Sequence, residues 1–294
     1  MSTIFGLPVA VILGQLTLGL VNGSFYALLS LGLAVIFGLL GIVNFAHGAF
    51  YTLGAFAALL GLQFFGINYW LALLVAPLAV GLVGMGVERL LLRRIGGLDP
   101  LYGLLLTFGL ALIVEGSLHQ VFGATGRSYP VPAALAGAVD LHFMFLPLYR
   151  AWVIGASLLV CLGSWFVIER TRLGATLRAA TENALLLQAF GVNVPRLVTL
   201  TYGGGVALAA LAGVLASPVV LVNSHMGTSL VTVVFAVVVI GGMGSILGSI
   251  VSGLTLGLIE GLTKVVYPEA SNIVVFVIMA LVLVLRPAGL FGRE

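Results

Sequence analysis

The sequence predicts an all-α polytopic membrane protein, and three observations lead to that prediction. Of 294 residues, 61% are hydrophobic and only 7% are charged, and the mean hydropathy is +1.26. Soluble domains carry about 25% charged residues, so this chain has too little charge to cover a soluble globule. Apolar runs recur at the ~20 residues that one membrane-spanning helix needs. We expect a single transmembrane domain over residues 1–294, with about 8–10 transmembrane helices.

The N-terminal part of the chain is free of charge. Lys, Arg, Asp and Glu are all absent from Pro8 to Val87, and the N-terminus lacks a basic signal-peptide segment, so we interpret it as a retained first span. Turn residues predict breaks at Asn22-Gly23-Ser24, Gly41-Ile42-Val43-Asn44 and Gly66-Ile67-Asn68-Tyr69. Residues Pro8 to Gly41 are long for one span and short for two, and we favour two closely spaced helices.

The remaining apolar segments alternate with polar breaks. A helix from about Trp70 ends at the charged run Glu88 to Arg94, and Phe122 to Arg150 forms a mixed loop. Ser229 to Ile240 is too short to cross comfortably and ends in Gly241-Gly242-Met243-Gly244. It is therefore a candidate broken or re-entrant helix, which the membrane tolerates only inside protein or beside a cavity. Further spans are expected at Leu101–Gln120, Ala151–Ile168, Val198–Ser217, Ile246–Val266 and Ile273–Leu285.

The basic residues predict the orientation. Alternate threading of the spans places nine arginines on one side: Arg89, Arg93, Arg94, Arg170, Arg172, Arg178, Arg196, Arg286 and Arg293. Arg127, Arg150 and Lys264 fall on the other side. Because cytoplasmic loops carry an excess of Lys and Arg, we expect the nine arginines and the C-terminus to face the cytoplasm.

The sequence lacks the motifs of the common enzyme classes. It contains no GxxxxGK[ST], CxxC, HExxH or GxSxG, and its four histidines are scattered. We therefore expect no catalytic residue, no metal and no cofactor. The single cysteine, Cys161, lies in an apolar run and is expected to be a buried thiol. The net charge of +3 matches the Lys/Arg bias of membrane loops, so nucleic acid is not an expected partner.

Two acidic residues lie inside predicted spans, where charges are costly and often functional. Glu260 precedes Lys264 by four residues, so the two share a helix face and can pair. Glu115 lies near the end of its helix, and we favour an interfacial carboxylate over a functional one. A proton-coupled carrier would need an acid near mid-membrane with a partner, and neither residue is clearly placed that way.

Two glycine-containing breaks are candidates for the translocation path. Asn44-Phe45-Ala46-His47-Gly48 interrupts a long apolar segment. It is either a discontinuous helix that lines a path or an ordinary interhelical turn, and the sequence favours neither. The candidate path residues are Asn44, His47, Gly48, Gly242 and Gly244.

The longest polar interval is Glu169 to Leu197. It holds six charged residues, out of 12 basic and nine acidic residues in the whole chain. Apolar residues recur there at helical spacing: Leu173, Leu177, Ala180, Ala184 and Leu187. With Gly191 as a stop and Pro195 at the next start, this pattern predicts one amphipathic helix over Ala175 to Phe190. Its apolar face either packs on the chain's own spans or the lipid interface, or inserts into a groove on a partner.

A family resemblance favours a partner. The segments GLLGIVNFAHGAFYTLGAF, GATLRAATENALLLQAFGVNV, VVIGGMGSILGSI and RPAGLFG resemble LivH-type permeases of branched-chain amino acid importers, over nearly the whole chain and in the family's order. The resemblance implies a bacterial inner-membrane permease that pairs with a second permease and contacts membrane lipid. It also implies two ATPase subunits that hydrolyse ATP and a periplasmic binding protein that delivers the amino acid.

By this resemblance the polar interval is the coupling loop that docks on an ATPase. Its candidate residues are Leu173, Gly174, Leu177, Arg178, Ala180, Glu182, Ala184, Leu187 and Gly191. The loop departs from the general importer signature, because Arg178 stands where that signature has Glu and Ala184 where it has Gly. Permeases for urea, amides or other neutral amino acids have a similar pattern, and a stand-alone secondary carrier or channel is the alternative from another class.

Overall fold

The structure, a computed structural model, describes residues 3–4, 7–41 and 43–292. Ile42 of the predicted break at Gly41 and Arg293 of the C-terminal tail therefore lie outside the described residues. The helices are α1 (Val9–Leu40), α2 (His47–Phe65), α3 (Tyr69–Val87), α4 (Arg93–Ile95), α5 (Pro100–Phe122), α6 (Leu148–Arg170), α7 (Arg172–Glu182), α8 (Ala184–Ala189), α9 (Val194–Ala216), α10 (Met226–Gly241), α11 (Ile246–Val266) and α12 (Val274–Leu285).

The remaining regular elements are short. A π-helical turn, Glu88–Leu92, joins α3 to α4, and two 3₁₀ turns lie at Ala133–Leu135 and Pro268–Ala270. The antiparallel pairs are β1 (Thr3–Ile4) with β2 (Leu7–Pro8), and β3 (Ala138–Asp140) with β4 (Phe145–Pro147). The second hairpin lies in the predicted mixed loop.

The all-α membrane architecture is confirmed. Among the described residues, seven helices are long and apolar enough to span a membrane, and α10 and α12 are shorter apolar helices. The predicted span Ile246–Val266 matches α11 at both ends. The other spans begin or end within a few residues of their predicted bounds, as α5 and α6 do.

The prediction of two helices between Pro8 and Gly41 is wrong. Residues 9–40 form one continuous helix, about 48 Å long at 1.5 Å per residue. The turn residues at its expected break serve close packing instead: Gly23 lies against the backbone of Gly253 and Leu254 in α11. The hydroxyl of Ser24 donates to the carbonyl oxygen of Leu20 within the helix.

Small residues bring the central helices together. α1 packs against α11 and α9 packs against α3. At these contacts a Cβ on Gly19 would lie 2.5 Å from the carbonyl oxygen of Gly257, and one on Gly81 would lie 3.1 Å from that of Gly203. Close backbone approach of this kind replaces the hydrophobic drive that lipid does not supply.

The two ends of the helix bundle differ in charge. Arg93 contacts the start of α9, and Arg178 contacts the end of α6. The C-terminal tail returns to the same end, where the amide nitrogens of Leu290 and Phe291 donate to the carbonyl oxygens of Ile240 and Gly241. We call this the arginine-rich end, because it gathers the eight described residues of the predicted arginine set. The other, which we call the far end, carries Arg127 and the β3–β4 hairpin.

Candidate translocation and coupling sites

Two helices begin at similar pentapeptides. Asn44-Phe45-Ala46-His47-Gly48 leads into α2, and Asn223-Ser224-His225-Met226-Gly227 leads into α10. Each pentapeptide follows a long helix, α1 or α9, and α2 and α10 are each followed by a further apolar helix, α3 or α11. α1 packs against α11, and α9 packs against α3. The first helix of each three-helix unit therefore packs on the third helix of the other unit, as expected for two related units. The chain therefore carries an internal repeat, which the sequence analysis missed.

The first turns of α2 and α10 meet in the interior of the bundle. A Cβ on Gly48 would lie 2.5 Å from the carbonyl oxygen of Gly227, and a Cβ on Gly227 would overlap the backbone of Gly48. From this contact α2 runs to the far end, where Phe56 packs on Phe122, and α10 runs to the arginine-rich end. Opposed helices that start at mid-membrane are typical of transporters with inverted repeats.

The break at Asn44 is sealed by the chain itself. Asn44 and His47 are each 1% exposed. The Asn44 amide donates to the Tyr202 hydroxyl over 3.1 Å, and His47 Nε2 lies 3.0 Å from the carbonyl oxygen of Leu29. The hydroxyl of Thr107 accepts from the amide nitrogen of Phe45. The discontinuous helix start is real, and Asn44, His47 and Gly48 are buried in the chain's own core. Their role in the translocation path stays a prediction.

The break at Asn223 is open. His225 is 56% exposed, and its Nδ1 lies 2.6 Å from the Glu115 carboxylate. The Thr228 hydroxyl donates to the other carboxylate oxygen. The His119 and His225 rings lie 5.5 Å apart. Glu115 thus lies in a polar cluster at the start of α10, and its prediction as an interfacial carboxylate stays a prediction.

Gly242 and Gly244 serve the arginine-rich end. Gly242 has φ +99° and is buried under the C-terminal tail, where a Cβ would lie 2.5 Å from the Gly292 amide nitrogen. The tail leaves no room beside it, and its role in the path stays a prediction. Gly244 lines a cavity of about 410 Å³ together with Gly38 and Leu177.

The polar interval folds as two helices instead of the single one predicted over Ala175–Phe190. α7 ends at Glu182, Asn183 has extended backbone, and its side chain caps α8 by accepting from the Leu186 amide nitrogen over 2.9 Å. The Asx cap gives the chain an alternative to a continued helix. Gly191, with φ +85°, ends the second helix as expected.

α7 is held against the chain's own spans. A Cβ on Gly174 would overlap the carbonyl oxygen of Ile168, so only glycine permits the tight turn from α6. Arg178 Nη1 lies 3.0 Å from the same carbonyl oxygen and 3.3 Å from the Glu169 carboxylate. Arg178, where the general importer signature has Glu, is thus an internal tie between α6 and α7.

The docking face predicted by periodicity is turned inward at its centre. Leu177 and Ala180 are each 8% exposed and lie on the inner side of α7, while Ala184 and Leu187 are half-buried. Periodicity identifies an apolar face but not what it packs on, and here it packs on the chain. Leu173, the remaining residue of the predicted face, is 50% exposed. It belongs to an exposed apolar set, which we call the outer loop face: Leu173, Leu185, Leu186 and Phe190, with Phe190 78% exposed. Glu182 is also exposed.

Two buried carboxylates have structural partners. Glu260 accepts from the Tyr26 hydroxyl over 2.7 Å and pairs with Lys264, which confirms the predicted i,i+4 pair. Glu88, in the π-helical turn, pairs with Arg93 at 3.3 Å and accepts from the Thr199 hydroxyl. The second network ties α3 to the start of α9. The local sequence gave no signal for it, because Thr199 is 111 residues from Glu88.

The sequence profile described as "Branched-chain amino acid transport system / permease component" matches residues 15–283. The chain belongs to this family. The permease is 29% identical over 296 residues to the high-affinity branched-chain amino acid transport system permease protein BraD of Pseudomonas aeruginosa, with 96% of each chain covered. It is 29% identical over 298 residues to LivH of Escherichia coli K12, again with 96% of each chain covered.

A second type of permease is also similar. LivM of Escherichia coli K12 is 28% identical over 288 residues, which cover 90% of this chain and 67% of LivM. No solved structure matches the permease. The family resemblance carried by the four sequence segments is therefore confirmed, and the chain is a multi-pass permease component.

Proposed function

We propose that the permease is one of two membrane subunits of an ATP-driven importer for branched-chain amino acids. Family membership over residues 15–283 supports this most strongly. Similarity to both LivH and LivM, which are named as permease proteins of a high-affinity branched-chain amino acid transport system, supports a second permease as its partner. Two ATPase subunits and a periplasmic binding protein complete the assembly, and ATP is hydrolysed by the partners.

The arginine-rich end faces the cytoplasm in this proposal. Eight described arginines gather there, and cytoplasmic loops carry an excess of Lys and Arg. That end also carries α7, α8 and the C-terminal tail. The ATPases then bind at the arginine-rich end, and the binding protein docks at the far end.

The outer loop face is the surface that meets an ATPase. Its four apolar side chains project from a loop whose inner side is already tied to α6 by Arg178. A helix fixed to the spans on one side and apolar on the other can transmit motion of a docked partner to α6. Anchors of this kind seat in a groove on the partner.

The experiment is uptake by the purified importer in proteoliposomes. Vesicles loaded with ATP are expected to accumulate labelled leucine when the binding protein is present outside. Vesicles with a proton gradient and no ATP are expected to accumulate none. Uptake driven by the gradient alone would instead support a secondary carrier, the class that the membrane-embedded Glu115–His225 pair favours.

The docking surface is tested with two matched aspartates. Phe190→Asp is expected to remove the ATPase subunits from the purified complex, because a charge forced into a packed apolar contact costs several kcal/mol unless it is paired. Phe145→Asp is the control, since Phe145 is a similarly exposed phenylalanine at the far end. It is expected to retain both ATPases. Retention of the ATPases by Phe190→Asp would assign the outer loop face to the lipid interface.

A further inference from the structure

A polar surface is exposed on the side of the bundle, at membrane depth. Glu115 lies seven residues before the end of α5, which is about 10 Å along the helix axis. Beside it, the exposed side of α10 carries His225, Thr228 and Thr232. We call these four residues, with His119, the polar side face.

Lipid is a poor match for this face. This face gathers a partly exposed carboxylate, two imidazoles and two hydroxyls, and polar groups of this kind face a bundle interior or an aqueous cavity. The contrast with α6 is direct: its exposed large side chains along the middle and second half of the helix are apolar, namely Leu159, Leu162 and Phe166. The polar side face therefore borders water or the second permease.

Glu115 has spare capacity to bind a cation. A carboxylate accepts about four hydrogen bonds, and the structure gives Glu115 two partners, His225 and Thr228. Its side chain is 20% exposed. Among the described residues, no Lys or Arg forms an ion pair with it. The two partners hold the carboxylate in place and leave its open side toward the exposed surface.

The same face of α5 becomes apolar toward the arginine-rich end. Leu112 and Phe108 lie three and seven residues before Glu115, on the same side of the helix, and both are exposed. Phe108 meets Phe45 at 6.2 Å between ring centroids, and Phe45 stacks on Phe235 at 6.1 Å. A fixed carboxylate is thus followed by an apolar strip and an aromatic cluster.

We propose that Glu115 binds the ammonium group of a zwitterionic amino acid in the translocation path, with the substrate's aliphatic side chain on Leu112 and Phe108. This inference rests on the proposed function and gives it a site. His225 and Thr228 are positioning residues that hold the carboxylate. The site distinguishes amino acids from aliphatic acids, because an acid without an amino group makes no ion pair with Glu115.

The test uses a cysteine reporter next to the site. Cys161 is the single cysteine and is buried, so Cys161→Ala provides the background. In the reconstituted complex, Thr232→Cys is expected to react with a membrane-impermeant methanethiosulfonate, and Leu159→Cys on α6 is not. If Thr232→Cys does not assemble, Ser229→Cys, also exposed on α10, replaces it. Equal lack of reaction at the α10 and α6 cysteines would overturn the aqueous placement of the face.

Ligand protection identifies the role of Glu115. Leucine at high millimolar concentration is expected to slow labelling of Thr232→Cys several-fold, and 4-methylpentanoate, which lacks the amino group, is not. Glu115→Gln is expected to abolish the leucine effect, while Glu269→Gln, at an exposed carboxylate near the end of α11, preserves it. Protection that persists in Glu115→Gln, or that both compounds give equally, would overturn the proposal.

Uptake separates this proposal from the proposed function. In ATP-loaded vesicles, Glu115→Gln is expected to reduce leucine uptake about tenfold or more, and Glu269→Gln is expected to keep the wild-type rate. Unchanged uptake by Glu115→Gln overturns the site alone. Absence of ATP-driven uptake by the wild-type complex overturns the proposed function, whereas the labelling result does not depend on ATP.

Discussion

The two breaks of the internal repeat share a sequence pattern and differ in surroundings. At Asn44 the side chains turn inward, and Tyr202 and the Leu29 carbonyl oxygen bind Asn44 and His47. At Asn223 the following histidine turns outward to Glu115. One break is part of the core, and the other is part of an exposed polar surface.

The difference shows that the shared sequence pattern determines where a helix starts but not which function the break has. Asn-x-x-x-Gly interrupts the helical run in both places, and glycine lets the two new helices meet. The neighbours decide the rest: Tyr202 on α9 faces the first break, and Glu115 on α5 faces the second. We therefore expect changes at the first break to alter stability and changes at the second to alter transport.

The largest stability effect is expected at the contact that the two breaks share. Gly227→Ala places a Cβ into the backbone of Gly48. Overpacking typically costs about 1–3 kcal/mol, and the upper end applies here because neither backbone can yield without moving a helix. Unfolding by SDS in mixed micelles measures the change.

Gly204→Ala is the matched control for that contact. Gly204 lies in α9 with open space around its Cβ position, and alanine in a helix interior is favoured over glycine by roughly 0.5–1 kcal/mol. Its stability is therefore expected to be unchanged or slightly higher. Equal losses in the two variants would contradict the packing at Gly48.

A smaller loss is expected within the sealed break. Asn44→Leu removes the amide that binds Tyr202 and leaves a buried hydroxyl unsatisfied, which costs about 1–3 kcal/mol. Tyr202→Phe leaves the buried Asn44 amide without this partner, so a loss of similar size is expected. Uptake per folded molecule, measured beside the SDS titration, is expected to stay near the wild-type value. If Asn44→Leu lost uptake while its stability stayed at the wild-type value, the result would support Asn44 as a residue of the translocation path.

The smallest stability effect is expected at the open break. His225→Asn removes a side chain that is more than half exposed, and surface substitutions usually change stability by less than about 0.5 kcal/mol. Leucine uptake is expected to fall several-fold, because Glu115 loses one of its two positioning contacts. A stability loss as large as that of Asn44→Leu would show that the two breaks do not differ in the way their surroundings indicate.

The coupling loop shows where periodicity stops being informative. The spacing of Leu173, Leu177 and Ala180 correctly indicates a helix with one apolar side. It cannot show whether that side meets a partner or the chain itself, since both environments select the same residues. The turn at Gly174 and the tie from Arg178 to Ile168 turn Leu177 inward.

Composition and hydropathy alone are sufficient for the membrane class, most of the spans and the grouping of arginines, because lipid selects for apolar length and loop charge. Four segments that occur in the family's order were sufficient for the family resemblance. Tertiary structure decided the rest: that Asn22-Gly23-Ser24 lies inside a helix, that Asn44 is sealed, and that Glu115 meets His225. These contacts join residues far apart in the chain. Their energies depend on which backbones approach closely, and local sequence does not encode that approach.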